Sequence, residues 1–197
     1  MMNYLKIKEE LQKHFVNHPK RFNHSIGVAD FAVEVNNLFN FGLDNEMLKI
    51  TGILHDIAKI YDLDTSLEML KKYESNEIVE HYKQYPNVIH AVLGAHLAKE
   101  WYNVNDEIFN AIYFHTTGTS NMTKFMEVIY TADVVERGRT YKDADYFRSE
   151  VLKDFNLGLF KILESIIEML KNKNEPIECH TIKAYEYYKK KVLENEI

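Results

Sequence analysis

The chain has 197 residues, of which 46% are hydrophobic and 27% charged, enough apolar material for a sizeable core and far from the composition of a disordered tract. A formal net charge of −6 excludes a general attraction to a phosphate backbone, so no nucleic-acid partner is expected, and a phosphorylated ligand would need local cations. Cys179 is the only cysteine, which excludes an internal disulfide. No apolar run is long enough to span a bilayer, and the first residues carry charges where a secretory signal would be apolar. A cytoplasmic location with no membrane partner is the expectation.

Seven glycines and three prolines are few for this length and favour long helices. Residues 3–16 form a first amphipathic pattern, broken at Pro19. From Lys20 to about Phe41 the period is helical, with His24, Val28, Phe31, Val35 and Leu38 on one stripe. Gly42 ends that element, and Asp44 caps a helix running to about Ile60. Residues 62–85 are polar, with a short helical stretch from Ser66 to Lys72, and Pro86 interrupts again. Helices follow at about Val88–Tyr102 and Asp106–His115, then the loop TTGTSN. Lys124–Glu136 reads as helix and stops at Gly138. Two longer helices, 143–172 and 178–194, flank the tract NKNEP. Nothing shows sustained period-2 alternation. The expectation is an all-α fold with one domain over residues 1–197.

The nine histidines differ in setting. His24 lies on the apolar stripe of its helix. His90 shares a stripe with Leu93, Gly94, Leu97 and Trp101. His115 ends the stripe of Ile108, Ala111 and Ile112, and Asp133 continues that of Met126, Ile129 and Tyr130. His55 and Asp56 adjoin the row Met47, Ile50, Leu54 and Ile57. A polar ring or carboxylate on such a face is costly unless it is paired or bound to metal. One buried histidine is ordinarily satisfied by a carbonyl. Six such residues on five helices point instead to side chains converging on a metal centre inside a helical bundle. Imidazole and carboxylate without sulfur suit Fe, Mn, Co, Ni or Zn better than Ca. His14 and His18 read as a solvated pair, and His81 and His96 as surface residues. His180, in a partly polar segment, carries no assignment.

The order His24, His55-Asp56, Asp133 resembles that of the HD phosphohydrolase superfamily, an HD-type helical bundle around a metal. Within it, RFNHSIGVA, LHDIAK, NVIHAVLGAHLA, AIYFHTTG, IYTADVVERGR and EPIECHTIKAYEYY resemble segments of the YqeK-type symmetrical diadenosine tetraphosphate hydrolases, from about Arg21 to Tyr188. The His-Asp pair alone is a weak signal; the ordered set with HTTG and the closing arginine is specific. One departure is Arg137, where the family usually has proline, which implies an altered turn or an added cation beside the site.

The resemblance implies hydrolysis of diadenosine tetraphosphate to two ADP, with metal held by His24, His55, Asp56 and Asp133 and iron as the expected ion. It implies that Asp56, Lys59, His90 and His115 serve catalysis. It places Arg21, Lys59, His90, His115, Thr116, Asp133 and Arg139 at the substrate. In two-metal relatives the positions of His90 and His115 hold a second ion; in the YqeK type they face phosphates. The alternatives are an HD phosphohydrolase for another nucleotide, such as a nucleoside monophosphate or an alarmone, and a catalytically silent nucleotide-binding domain. The aromatic content is compatible with a homodimer or with a core that absorbs it.

Overall fold

The computed structural model describes residues 3–194. Among them are eleven helices and no strand. α1 (Tyr4–His14) and α2 (Pro19–Phe39) are joined by a short turn, with Pro19 at the first helical position, where its missing N–H costs nothing. α3 (Asn45–Leu54) begins under Asp44, whose carboxylate accepts from the N–H groups of Glu46 and Met47 at 2.8 and 3.1 Å. α4 (Leu63–Leu70) and α5 (Asn76–Lys83) occupy the polar stretch, capped by Asp62 and Ser75. α6 (Ile89–Tyr102), α7 (Asp106–Phe114), α8 (Lys124–Val135), α9 (Ala144–Lys153), α10 (Phe155–Asn172) and α11 (Cys179–Leu193) complete the order. No described helix is long and apolar enough to cross a membrane.

Three boundaries differ from the sequence pattern. α3 stops at Leu54 rather than near Ile60, and the chain continues in tight turns, with Ile57 N–H donating to Leu54 O and Lys59 N–H to Asp56 O. The 143–172 segment is two helices, because Asp154 leaves the helical region at φ −149° and its side chain accepts from Leu157 N–H as the N-cap of α10. α2 ends before Gly42, at Asn40, which adopts φ +52°. Asn103, Asn121 and Asn174 also take positive φ, so asparagine fills left-handed positions that glycine usually serves.

α2 packs on α3 and α8, α3 reaches α7 and α8, and α6 lies on α7. The main core threads Leu11, Phe15, Phe31, Ile53, Leu54, Ile112, Ile129 and Leu159, and a smaller cluster of Leu70, Val79, Tyr82, Ile89 and Val92 lies under α4–α6. Leu38 and Trp101, placed on apolar stripes, are 52% and 43% exposed. Two histidines read as surface residues are built in. His14 Nε2 donates to Ile57 O at 2.9 Å, tying α1 to the turn after α3, and His96 bonds Glu74 at 2.8 Å and stacks on Tyr73. His18 is exposed and His81 partly buried.

Helices α2 and α3 approach closely at Gly52. A Cβ there would sit 2.5 Å from Ala29 Cα and 2.6 Å from Ala29 N, whereas a Cβ on Gly94 would meet nothing nearer than 3.4 Å. Gly52→Ala should therefore cost about 1–3 kcal/mol by overpacking, and Gly94→Ala much less. Urea unfolding of the two variants checks this; equal losses would contradict the packing described.

Candidate metal centre

His55 and Asp56 sit where α3 gives way to turns, so consecutive side chains point to one side. His55 is fully buried, and its Nδ1–H donates to Gly52 O at 2.7 Å. That bond leaves the lone pair on Nε2, which is buried without a hydrogen-bond partner. Nε2 lies 3.8 Å from Asp56 Oδ2 and 3.5 Å from Asp133 Oδ1. His115, at the end of α7, repeats the device. Its Nδ1–H donates to Ile112 O at 2.7 Å, and its Nε2 faces Asp56 Oδ1 at 3.7 Å.

The other expected residues converge on the same place. From α2, His24 sets Nε2 2.8 Å from Asp133 Oδ1 and Nδ1 3.1 Å from Glu136 Oε1. His90 of α6 has Nε2 3.3 Å from both Asp56 Oδ1 and His115 Nε2, with Lys59 Nζ 2.9 Å away. Thr116 Oγ1 lies 3.2 Å from His115 Nε2. Arg21 donates to Asp56 Oδ2 at 2.8 Å; Arg139 donates to Asp133 Oδ1 and to its carbonyl, both at 2.7 Å. Three overlapping groups could each hold an ion: His24–His55–Asp56, His55–His115–Asp133 and Asp56–His90–His115. An unpartnered imidazole lone pair facing two carboxylates, with nitrogen and oxygen donors only, fits a divalent transition metal.

Burial would raise the pKa of Asp56, but the neighbouring imidazoles of His55, His115 and His90 outweigh it, holding the carboxyl well below the usual range. Asp133 is held down in the same way by His24 and His55. Burial lowers His55, and lowers His90 to about 4, keeping His90 neutral and lone-paired at pH 7. Burial also lowers Lys59, against the pull of Asp56 and Asp133. His24 goes the other way: desolvation is outweighed by the Asp133 and Glu136 hydrogen bonds, and it rises to about 9.

A cavity of about 690 Å³ opens beside this cluster. Lys59, His115, Thr116 and Asp133 of the cluster line it, together with the apolar side chains of Tyr85, Val88, Ile166, Met169 and Leu170 and the charged Lys173, Glu175 and Glu178. Three participants were not legible in the sequence pattern. Tyr130, which reads as core, lines the cavity with a buried, unpartnered hydroxyl. Glu136 orients His24; its spacing of three from Asp133 was the available signal. Arg148 of α9 donates to the carbonyls of Val135 and Glu136 at 2.7 and 2.8 Å, closing the end of the helix that carries Asp133. Arg137 adds no cation to the centre: its guanidinium is turned outward in a two-pronged pair with Glu34.

The raised His24 pKa fixes a sign. A group with a folded pKa above its unfolded value of about 6.5 stabilises fully below that value and loses its contribution as pH climbs through the folded pKa. Chelator-treated protein should lose urea stability between about pH 6.5 and 9, and His24→Gln should flatten that slope. Parallel slopes for the two proteins would contradict the assignment.

The HD domain family model matches residues 21–184. The symmetrical bis(5'-nucleosyl)-tetraphosphatase of Halalkalibacterium halodurans is 30% identical over 185 residues, covering 93% of this chain and 96% of that protein. The Bacillus subtilis protein of the same name is 30% identical over 183 residues, 92% of each chain. A crystal structure from Clostridium acetobutylicum, described as a predicted HD superfamily hydrolase involved in NAD metabolism, superposes with a TM-score of 0.86 at 31% identity, over 97% of this chain and 99% of that one. The chain, with its ordered His-Asp cluster at the junction of α2, α3, α7 and α8, belongs to the HD domain family.

Proposed function

We propose that the whole chain acts as one HD phosphohydrolase unit, a metal-dependent enzyme that hydrolyses diadenosine tetraphosphate symmetrically to two ADP. The observation that carries the metal dependence is the buried, unpartnered Nε2 of His55, aimed at Asp56 and Asp133. The substrate is supported by relatives of that named activity, matched over nearly their full length. It is supported too by a cavity whose lining combines Lys59, His115 and Thr116 with apolar side chains, suited to polyphosphate and base. The proposed setting is the cytoplasm, with a nucleotide substrate and no nucleic-acid or membrane partner.

In this reading His24, His55, Asp56 and Asp133 hold the ion, and iron is the ion proposed. It would supply Lewis acidity and a water of lowered pKa. Arg21 holds Asp56 Oδ2, leaving Oδ1 toward His90 and His115, and Arg139 holds Asp133 Oδ1, the oxygen that also faces His24 and His55. Lys59, lining the cavity, offsets charge on the bridging phosphates. Its ammonium also donates to neutral His90, so the ring keeps one N–H for a phosphoryl oxygen. An ammonium 2.9 Å from His90 disfavours a second cation there, so His90 and His115 are assigned to phosphate rather than to a second ion. Thr116 presents a hydroxyl on the same side. Water adds to an inner phosphorus and gives its proton to solvent, the central P–O–P bond breaks with the bridging oxygen staying on the departing ADP, and that ADP leaves as a stable anion with little demand for a general acid.

Product analysis tests the reaction. Iron-loaded protein given diadenosine tetraphosphate should yield ADP as the sole nucleotide, whereas ATP with AMP would contradict symmetrical attack. Asp56→Ala should lose metal and turnover together. Lys59→Ala should keep its metal while kcat falls about 10²–10³-fold, as for removal of one charge-stabilising donor. Metal analysis beside steady-state kinetics separates the two variants, and unchanged kinetics for Lys59→Ala would remove it from the site.

A further inference from the structure

A second group of ligand-type side chains, sharing no member with the His-Asp centre, meets around Glu178, which lines the cavity. Glu178 is the N-cap of α11, and its Oε2 accepts from His180 N–H at 2.6 Å. Its Oε1 faces three donors: His81 Nε2 from α5 at 3.2 Å, Cys179 Sγ at 3.1 Å and His180 Nδ1 at 3.1 Å. Cys179 Sγ and His180 Nδ1 are 3.7 Å apart. We propose that His81, Glu178, Cys179 and His180 form a second metal site, for a zinc-class divalent ion, distinct from the His-Asp centre.

Four of the six donor separations, three of them to Glu178 Oε1, are close to those of a coordination shell. With metal–nitrogen and metal–oxygen bonds of about 2.0–2.1 Å and a metal–sulfur bond of about 2.3 Å, tetrahedral donors stand roughly 3.3–3.8 Å apart. The four separations observed, 3.1 to 3.7 Å, need only small adjustments to reach that range. His81, Glu178 and Cys179 already bring one donor atom each within 4.8 Å of the others.

The charge at this spot also calls for a cation. Glu178 is only 2% exposed, and among the described residues its ion-pair partners are His81 and His180, with no lysine or arginine. Burial would raise its pKa, but hydrogen bonds from His180 and Cys179 outweigh that and hold the carboxyl at about 2. A buried carboxylate answered only by imidazoles, whose charge is not fixed at neutral pH, is completed by a divalent ion. Burial and Glu178 raise the Cys179 thiol, which would give up its proton to a bound ion; sulfur beside imidazoles and a carboxylate selects zinc-class ions, whereas the central cluster offers nitrogen and oxygen alone.

The position gives the site a consequence. The segment Gln84–Val88 that follows α5 lines one wall of the cavity, and Glu178 and Thr181 line another. His81 and Glu178 are 97 residues apart in sequence, so an ion between them would fasten the two walls together.

Cobalt(II) titration of the full-length protein tests this independently of the hydrolase reading, because a sulfur-to-cobalt charge-transfer band in the near ultraviolet reports only a site containing Cys179. The wild type should show the band, and zinc should displace it. Cys179→Ser should abolish it, and His81→Ala should weaken cobalt affinity at least about tenfold, as loss of a ligand or its support does. Circular dichroism of both variants should match the wild type, since Cys179 is exposed and His81 only partly buried. No band in the wild type, or a band that His81→Ala leaves unchanged, would overturn the proposal.

Discussion

Two carboxylates, Asp56 and Asp133, are held ionised inside a helical core, and the energetic cost of keeping them there shapes the elements around them. Each is offset twice, once by a guanidinium and once by imidazoles. Supplying those partners requires side chains from α2, α3, α6, α7 and α8 to meet within a few ångströms. Three of these helices reach the cluster by ending at it. α3 stops at Leu54, α7 at Phe114 and α8 at Val135, each at or next to a member of the cluster or its support. Helix C-termini carry partial negative charge, so the three ends favour a cation at their meeting point.

Ending helices there also fixes the rings. His55 and His115 each lie just past a helix terminus, and each spends its Nδ1–H on a carbonyl three residues back in the last turn. Each bond ties the ring to a carbonyl of the last helical turn and sets the imidazole tautomer, directing both Nε2 lone pairs inward. Arg148 does related work from outside, closing the carbonyls after Asp133 from the neighbouring α9. Gly52 admits the backbone of Ala29, which lets α2 bring His24 across to Asp133. The cluster is thus built from backbone terminations as much as from side-chain identity.

Much of this was legible in the sequence. His24, His90 and Asp133 interrupt apolar stripes, and the structure brings them together with His55, Asp56 and His115, as that pattern requires. The all-helical class followed from periodicity and few chain breakers. What did not show was the early end of α3, because residues 55–60 keep the apolar spacing of a helix while the backbone tightens into turns. The break at Asp154 was hidden for a similar reason: periodicity resumes in nearly the same phase after the cap. His14 and His96 read as solvated because their neighbours in sequence are polar, yet their partners, Ile57 and Glu74, come from distant segments. Tyr130 was indistinguishable from core until the cavity beside it was seen.

The cavity joins the cluster to a long apolar wall of α10, so a ligand's charged and flat parts can be accommodated side by side. The proposed hydrolase function depends on the His-Asp cluster being where a metal is held. Anomalous diffraction at the iron edge, from crystals of iron-loaded protein, tests that most directly. The account predicts a peak enclosed by His24, His55, Asp56 and Asp133. Iron present in the crystal with no peak among those four residues would contradict it.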